Sequence, residues 1–348
     1  MDAASAVALY LAGLAREGET HARLGLDRGE FRALLEEFCL VDCELTPVDV
    51  DPFLGVTFLD TRSCPFEDPT FDGAIEGVAA GPNAPRAWRI PARALLGAST
   101  RAERSAPANL IMHVGRCGST LLCNLLAHSG GWTVLREPEL LNKLILVRTG
   151  TACEESKARI DALTMRLLTC LAGGRRPGHR AVKLSSWTAA PAAALLARSG
   201  ACLIVGVVRD PLATVASFME QPPYWAGNGG GVAQESDVRF FARAWASAAE
   251  TMLRLPRGRR LLLRYEEMVE NPSWALRRVR SHFGDTSPLE SEATIRGVLA
   301  SYSKGRMGER FEPSGEHRRS ILEPRLQRIV TETTAAAWGA VGRALERP

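Results

Sequence analysis

Six residues carry the first chemical signal: Gly115, Arg116, Cys117, Gly118, Ser119 and Thr120, in the stretch "HVGRCGSTLL". Glycines at 115 and 118 let the backbone fold inward until several N–H groups converge on one point. Ser119 and Thr120 add hydroxyl donors, and a helix starting there adds the positive end of its dipole. Such a site suits a phosphate or a sulfate. The same residues also fit a plain strand-to-helix turn with Ser119 as N-cap. A magnesium–triphosphate loop requires GxxxxGK[ST]. No lysine stands in this loop, and its cation is Arg116.

The second signal is "IVGVVRDPLATVASF". An apolar run ends at Arg209, and Ser217 follows eight residues later. Arg209 offers a planar fork for phosphate oxygens, and Ser217 can reach the same anion from the next helix, whose first turn suits Pro211. The plainer reading is a surface arginine paired with Asp210 and a serine facing the core. No strand ends in an obvious magnesium-binding acid, since the one candidate, Asp210, immediately follows Arg209, and a metal–triphosphate site is therefore disfavoured.

Three more residues could move protons or stabilise charge. Glu137, in "VLREPELL", follows a strand and precedes a helix, where an acid is also stabilised by the helix dipole alone. Lys183 closes a strand in "RAVKLSSW" and so points into a crevice. His113, just before the loop, titrates near neutrality and is the alternative base, although in a buried strand it reads first as a satisfied core histidine. Cys117 lies in an anion-binding loop that would lower its pKa, but no partner histidine or resolving cysteine accompanies it. It reads as a small residue tolerated in the turn.

The elements that must position these residues alternate. Strands are predicted over 110–114, 132–135, 181–184, 202–208 and 260–264. Helices are predicted over 119–128, 138–147, 156–171, 189–198, 213–219, 236–255 and 272–283. A run such as "CLIVGVV" is apolar on both faces, as a buried parallel strand requires. The fold class is therefore α/β, a doubly wound and mainly parallel sheet, with ligands at the carboxyl ends of the strands.

Residues 1–105 follow a different pattern and read as an appended region of mixed helix and loop, with 106–348 as the main domain. Helices are predicted near 3–17 and 28–39, one strand over 54–59, and a proline-rich linker or strap from about residue 81 onward. The segment 219–236, aromatic and then glycine-rich, fits a lid or an acceptor-binding wall.

Composition sets the outer bounds. The 348 residues carry 46% hydrophobic and 24% charged side chains, ordinary for a globular protein, and a net charge of +4, too mild to argue for nucleic acid. Eight cysteines form no CxxC pair and no metal-ligand spacing, which suggests reduced, buried thiols in a cytoplasmic protein and no metal. The apolar N-terminal run is too short to span a bilayer. The arginine- and alanine-rich composition points to a bacterial source.

The loop "GRCGSTLL" and the segment "VVRDPLATVASF", in this order and each after a strand, resemble the sulfotransferase family, over about residues 109–311. The resemblance implies a P-loop NTPase-like sulfotransferase fold and a donor, 3′-phosphoadenylyl sulfate (PAPS), which leaves as 3′,5′-adenosine bisphosphate (PAP). It implies that Gly115, Arg116, Cys117, Gly118, Ser119, Thr120 and Leu121 hold the 5′-phosphosulfate, and that Arg209 and Ser217 hold the 3′-phosphate. Bacterial and tyrosylprotein-type members are the nearest in motif. Arg116 stands where that type has arginine, and Glu137, twenty-one residues on, matches its base. Lys183 is similar to a lysine that contacts the sulfuryl group. Tyr265, in "LLLRYEEMVENP", resembles a tyrosine lying near the nucleotide, with Glu266 and Glu267 capping the next helix. Ser303, Lys304 and Gly305, in "SYSKGRMGERF", resemble the late loop that closes over it, although the commonest version has arginine before Lys-Gly.

The function implied is sulfuryl transfer from PAPS to a hydroxyl or amine, with Glu137 as base and Arg116, Lys183 and Ser303 stabilising charge. The alternatives are an ATP-dependent small-molecule kinase on a P-loop scaffold and an inactive PAP-binding protein. The expected partner is a small-molecule acceptor, without nucleic acid or membrane, and a homodimer is left open.

Overall fold

Strand-forming residues occur in short runs along this chain, and the structure gathers them into two sheets. The computed structural model describes residues 45–50, 55–60, 64, 71–79, 87–91, 96, 108–172, 178–188, 192, 202–221, 234–301 and 322–346. The helices predicted at 3–17 and 28–39, nearly all of the one at 189–198, and most of the segment 219–236 lie outside these residues.

The first elements are β1 (Leu45–Val50), β2 (Gly55–Asp60), α1 (Phe71–Ala79) and β3 (Ala87–Pro91). The strands form an antiparallel sheet of order β1-β2-β3, with Leu45 opposite Asp60 and Gly55 opposite Pro91. The sequence predicts one strand here, and three are present. The two that were missed carry prolines, which lack the N–H a central strand must donate and so read as loop. Both lie at sheet edges, where proline is tolerated. In β1 the register shifts between Pro47 and Asp49.

Next come β4 (Ala108–His113), α2 (Ser119–His128), β5 (Trp132–Arg136), α3 (Glu139–Gly150), α4 (Glu154–Ala172), β6 (His179–Lys183) and β7 (Cys202–Val208). The rest are α5 (Pro211–Glu220), α6 (Glu235–Arg254), β8 (Arg260–Arg264), α7 (Tyr265–Glu270), α8 (Pro272–His282), α9 (Glu292–Ser301) and α10 (Pro324–Leu345). The five strands from β4 onward form a parallel sheet of order β5-β6-β4-β7-β8, flanked by helices, which is the α/β class predicted. All six residues of β4 are buried, and β7 is buried at every position except the half-buried Leu203. This two-sided burial is why these strands read as unbroken apolar runs. The helices α1, α7, α9 and α10 are not among those predicted.

The chain divides into two compact units, Met1–Ala108 with Thr133–Lys183, and Asn109–Trp132 with Leu184–Pro348. In the first, α3 packs on β1 and α4 packs on both β1 and β6. Lys143 Nζ pairs with Asp49 Oδ1 at 2.6 Å, and Arg148 Nη2 donates to Asp161 Oδ2 at 3.1 Å. In the second, Val215, Ala216 and Phe218 of α5, Phe241 and Ala242 of α6, and Ile329 and Val330 of α10 share one apolar cluster. Elsewhere in that unit Arg280 Nε pairs with Asp285 Oδ2 at 2.6 Å, and Trp132 Nε1 donates to the same oxygen at 2.8 Å.

Among the described cysteines Cys64, Cys117, Cys123 and Cys202 are buried, Cys170 is half-buried, and Cys153 is exposed, against the expectation that all are buried. Among the described residues no helix is long and apolar enough to cross a membrane.

Candidate functional site

The loop after β4 is built from left-handed backbone. Gly115 has φ 82°, Arg116 φ 46° and Gly118 φ 76°. Gly118, not Ser119, holds the cap position before α2, and with no side chain it supplies no cap to the first amides of the helix. A side-chain cap would compete with an anion for these amides. Ser119 and Thr120 are the first helical residues, both buried, and Leu121 is fully buried, so what it can offer a ligand is its amide.

Both glycines are also required by close packing. A Cβ at Gly115 would lie 2.5 Å from Phe218 Cζ, and one at Gly118 would lie 2.5 Å from Tyr265 Cδ2. The loop is therefore moulded on two aromatic rings, one from α5 and one from α7. Phe218 is itself stacked on Phe241, with centroids 4.6 Å apart.

His113 and Cys117 have structural employment in this turn. Gly115 N–H donates to His113 Nδ1 at 3.1 Å, which engages the lone pair a base at that nitrogen would use. Cys117 is buried and its Sγ donates to Val207 O at 3.3 Å. The Arg116 side chain leans toward the end of α5, where Nη2 donates to Gln221 O and the guanidinium lies 5.9 Å from the Phe218 ring centre.

Arg209 stands immediately beyond β7 and is buried, not a surface residue. Its Nη1 donates to Arg116 O at 3.1 Å, and its guanidinium lies 4.4 Å over the Tyr265 ring. Tyr265 therefore touches both Gly118 and Arg209. Asp210 caps α5 by accepting from Ala213 N–H at 2.9 Å. Glu266, predicted with Glu267 to cap the helix that follows, accepts from Asp210 N–H at 3.2 Å, and the cap of α8 is Asn271, whose side chain accepts from Trp274 N–H. Trp245 Nε1 donates to Arg209 O at 3.2 Å. Ser217 is buried in α5 beside Phe218.

Glu137 and Lys183 belong to the other unit. Lys183, buried at the end of β6, forms an ion pair through Nζ with Glu137 Oε1, and the Glu137 side chain remains about one-third exposed. Glu137 N–H also donates to Lys183 O at 2.8 Å. Glu137 has φ 55°, and it and Arg116 are the non-glycine residues with positive φ among those described. Such conformations cost on the order of 1–3 kcal/mol and cluster at functional sites. Glu137 is not the helix-start acid of the plainer reading. Pro138 occupies the cap position, and Glu139 is the acid of the first turn.

Ser303, Lys304 and Gly305 lie outside the described residues. Among the described residues no group of three His, Cys, Asp or Glu side chains could hold a metal ion. Phe218, Trp245 and Glu266 were not singled out for these roles in the sequence. Phe218 follows Ser217 directly, but only the folded chain puts its ring against Gly115.

No family model matches the chain, and no curated protein matches it in sequence. Among solved structures it is similar to a sulfotransferase from Alicyclobacillus acidocaldarius, 14% identical at a TM-score of 0.45, covering 70% of this chain and 97% of that one. It is similar to mouse sulfotransferase SULT7A1 complexed with PAP, 15% identical at a TM-score of 0.45, covering 73% of this chain and 92% of that one. A third similar structure is sulfotransferase STF9 from Mycobacterium avium, 15% identical at a TM-score of 0.45, covering 94% of this chain and 95% of that one.

Proposed function

We propose that this protein transfers a sulfuryl group from PAPS to a hydroxyl or amine of a small-molecule acceptor. The observation that carries the reading is the coupling of two anion-directed elements. Buried Arg209 is bonded to the carbonyl of Arg116 within the glycine loop, and Tyr265 packs against both Arg209 and Gly118. A donor with phosphate at both ends of a nucleoside requires two such elements held in fixed relation. The residues fit that donor: the loop has no side-chain cap at its helix start, and a buried guanidinium stands at the neighbouring strand end.

When bound, PAPS supplies the sulfuryl group and departs as PAP. In this reading the loop amides, Ser119 and Thr120 hold the 5′-phosphosulfate, and Arg209 and Ser217 hold the 3′-phosphate. Glu137 accepts the acceptor's proton as the acceptor oxygen or nitrogen bonds to sulfur. The electron pair of the broken S–O bond goes to the 5′-phosphate oxygen, where the N-terminus of α2 and Arg116 meet the charge. Lys183 orients the Glu137 carboxylate and adds positive charge beside the transferring group. As in phosphoryl transfer, most of the work is positioning and charge stabilisation.

Thermal stabilisation by PAP, AMP and Mg-ATP tests the reading. A PAP effect greater than that of AMP and strongly reduced in Arg209→Ala is the expected result. Stabilisation by Mg-ATP but not by PAP overturns it in favour of a kinase. PAP binding without release of PAP from PAPS, across a panel of phenols, alcohols and amines, marks an inactive nucleotide-binding protein.

A further inference from the structure

The start of α3, directly after Glu137, is capped from outside the helix. Its cap residue is Pro138, which has no side-chain oxygen and caps nothing. Instead Asp72 Oδ2, from α1, accepts from Glu139 N–H at 3.1 Å. A carboxylate there satisfies one of the open amides of the helix and also faces the positive end of its dipole. Asp72 is half-buried, and burial raises its pKa while the hydrogen bond from Glu139 N–H acts in the opposite direction.

Glu137 lies two residues before that bond, with φ 55°. A non-glycine residue persists in this region only where its surroundings over-determine it. Here a hydrogen bond holds each side of the turn: Glu137 N–H to Lys183 O at 2.8 Å, and Glu139 N–H to Asp72. The Lys143–Asp49 ion pair and the packing of α3 on β1 tie the same helix to the β1-β2-β3 sheet. All these residues belong to one compact unit.

We propose that Asp72 is a positioning residue, which holds the strained turn that aims Glu137 and so gives the segment before β4 a part in proton transfer. The inference rests on Glu137 being the proton acceptor.

The test uses the full chain and the variants Asp72→Ala, Asp72→Asn, Glu137→Gln and Asp72→Ala/Glu137→Gln. Amide hydrogen exchange over residues 137–141 is read beside PAP release from PAPS, with water and p-nitrophenol as acceptors. Loss of the cap in Asp72→Ala accelerates that exchange about five- to thirtyfold and slows PAP release by a similar factor. Asparagine keeps an acceptor oxygen, so Asp72→Asn stays within about twofold of the unchanged protein in both readings. Exchange over 115–120 and the affinity for PAP do not move, and in the Glu137→Gln background Asp72→Ala speeds exchange over 137–141 but slows PAP release no further. Unchanged exchange over 137–141 in Asp72→Ala overturns the proposal. Faster exchange with unchanged PAP release reduces Asp72 to a structural cap and overturns it equally. A Glu137→Gln protein that releases PAP at the original rate overturns the base assignment instead, whatever the exchange shows.

Discussion

Replacing Gly118 by alanine should separate backbone strain from damage to the nucleotide site. At φ 76° an alanine sits in the left-handed region, which costs about 1–2 kcal/mol. The new Cβ would also lie 2.5 Å from Tyr265 Cδ2, 2.8 Å from Cε2 and 3.0 Å from Met268 Cε. The ring must retreat, and it is the ring that lies 4.4 Å beneath the Arg209 guanidinium. Losing that buried cation–π contact costs about 1–2 kcal/mol. PAP affinity should then fall about five- to thirtyfold, since 1.4 kcal/mol is a factor of ten.

Gly131→Ala is the control. Gly131 has φ 68° but nothing within 4 Å of an added Cβ, so it carries the strain without the collision. Calorimetric titration with PAP and urea unfolding are measured on both variants. Both lose stability, and only Gly118→Ala loses affinity. In the double variant Gly118→Ala/Tyr265→Ala the collision is relieved, and the loss is smaller than the sum of the single losses. If Gly118→Ala binds PAP as tightly as Gly131→Ala does, the argument that Tyr265 transmits loop geometry to Arg209 is wrong.

Other perturbations read other parts of the molecule. Glu137→Gln should lower turnover about 10²–10⁴-fold, the range for loss of a general base, while PAP affinity stays within about twofold. Burial alone would raise the pKa of Asp285, but hydrogen bonds from Arg280, Ser287 and Trp132 hold its carboxyl well below the ordinary carboxylate range. A folded-state pKa below the unfolded one gives stability that is complete above the unfolded value, about 4, and is lost as pH falls toward the folded value. The urea midpoint should therefore drop between about pH 5 and pH 3, and Asp285→Asn should begin lower and drop less. Arg280→Ala, which leaves that buried carboxylate uncompensated, should cost about 3–5 kcal/mol at neutral pH.

The main sheet and the loop were legible because their signals are contiguous. A strand buried on both faces must be an apolar run, and β7 was predicted at the bounds it has, 202–208. The helix α2 also matches its prediction, since the glycine before it and the apolar residues within it are neighbours in sequence. The helix α10 was less legible. Its buried positions, among them Leu326, Ile329, Val330, Thr334, Ala337 and Val341, have helical spacing, but threonine and alanine dilute the apolar stripe. The outer strands β1 and β3 were lost to their prolines, which only sheet-edge positions make acceptable.

By itself the sequence determined which residue types could meet a phosphosulfate and on which elements they ride, because a glycine turn and a strand-end arginine are local facts of the chain. Tertiary structure alone decided what each of them touches. It put Tyr265 between Gly118 and Arg209, and brought Asp72 to an amide 67 residues away. Those contacts join residues far apart in the chain, and their distances depend on packing of whole elements, which no local pattern of residues encodes.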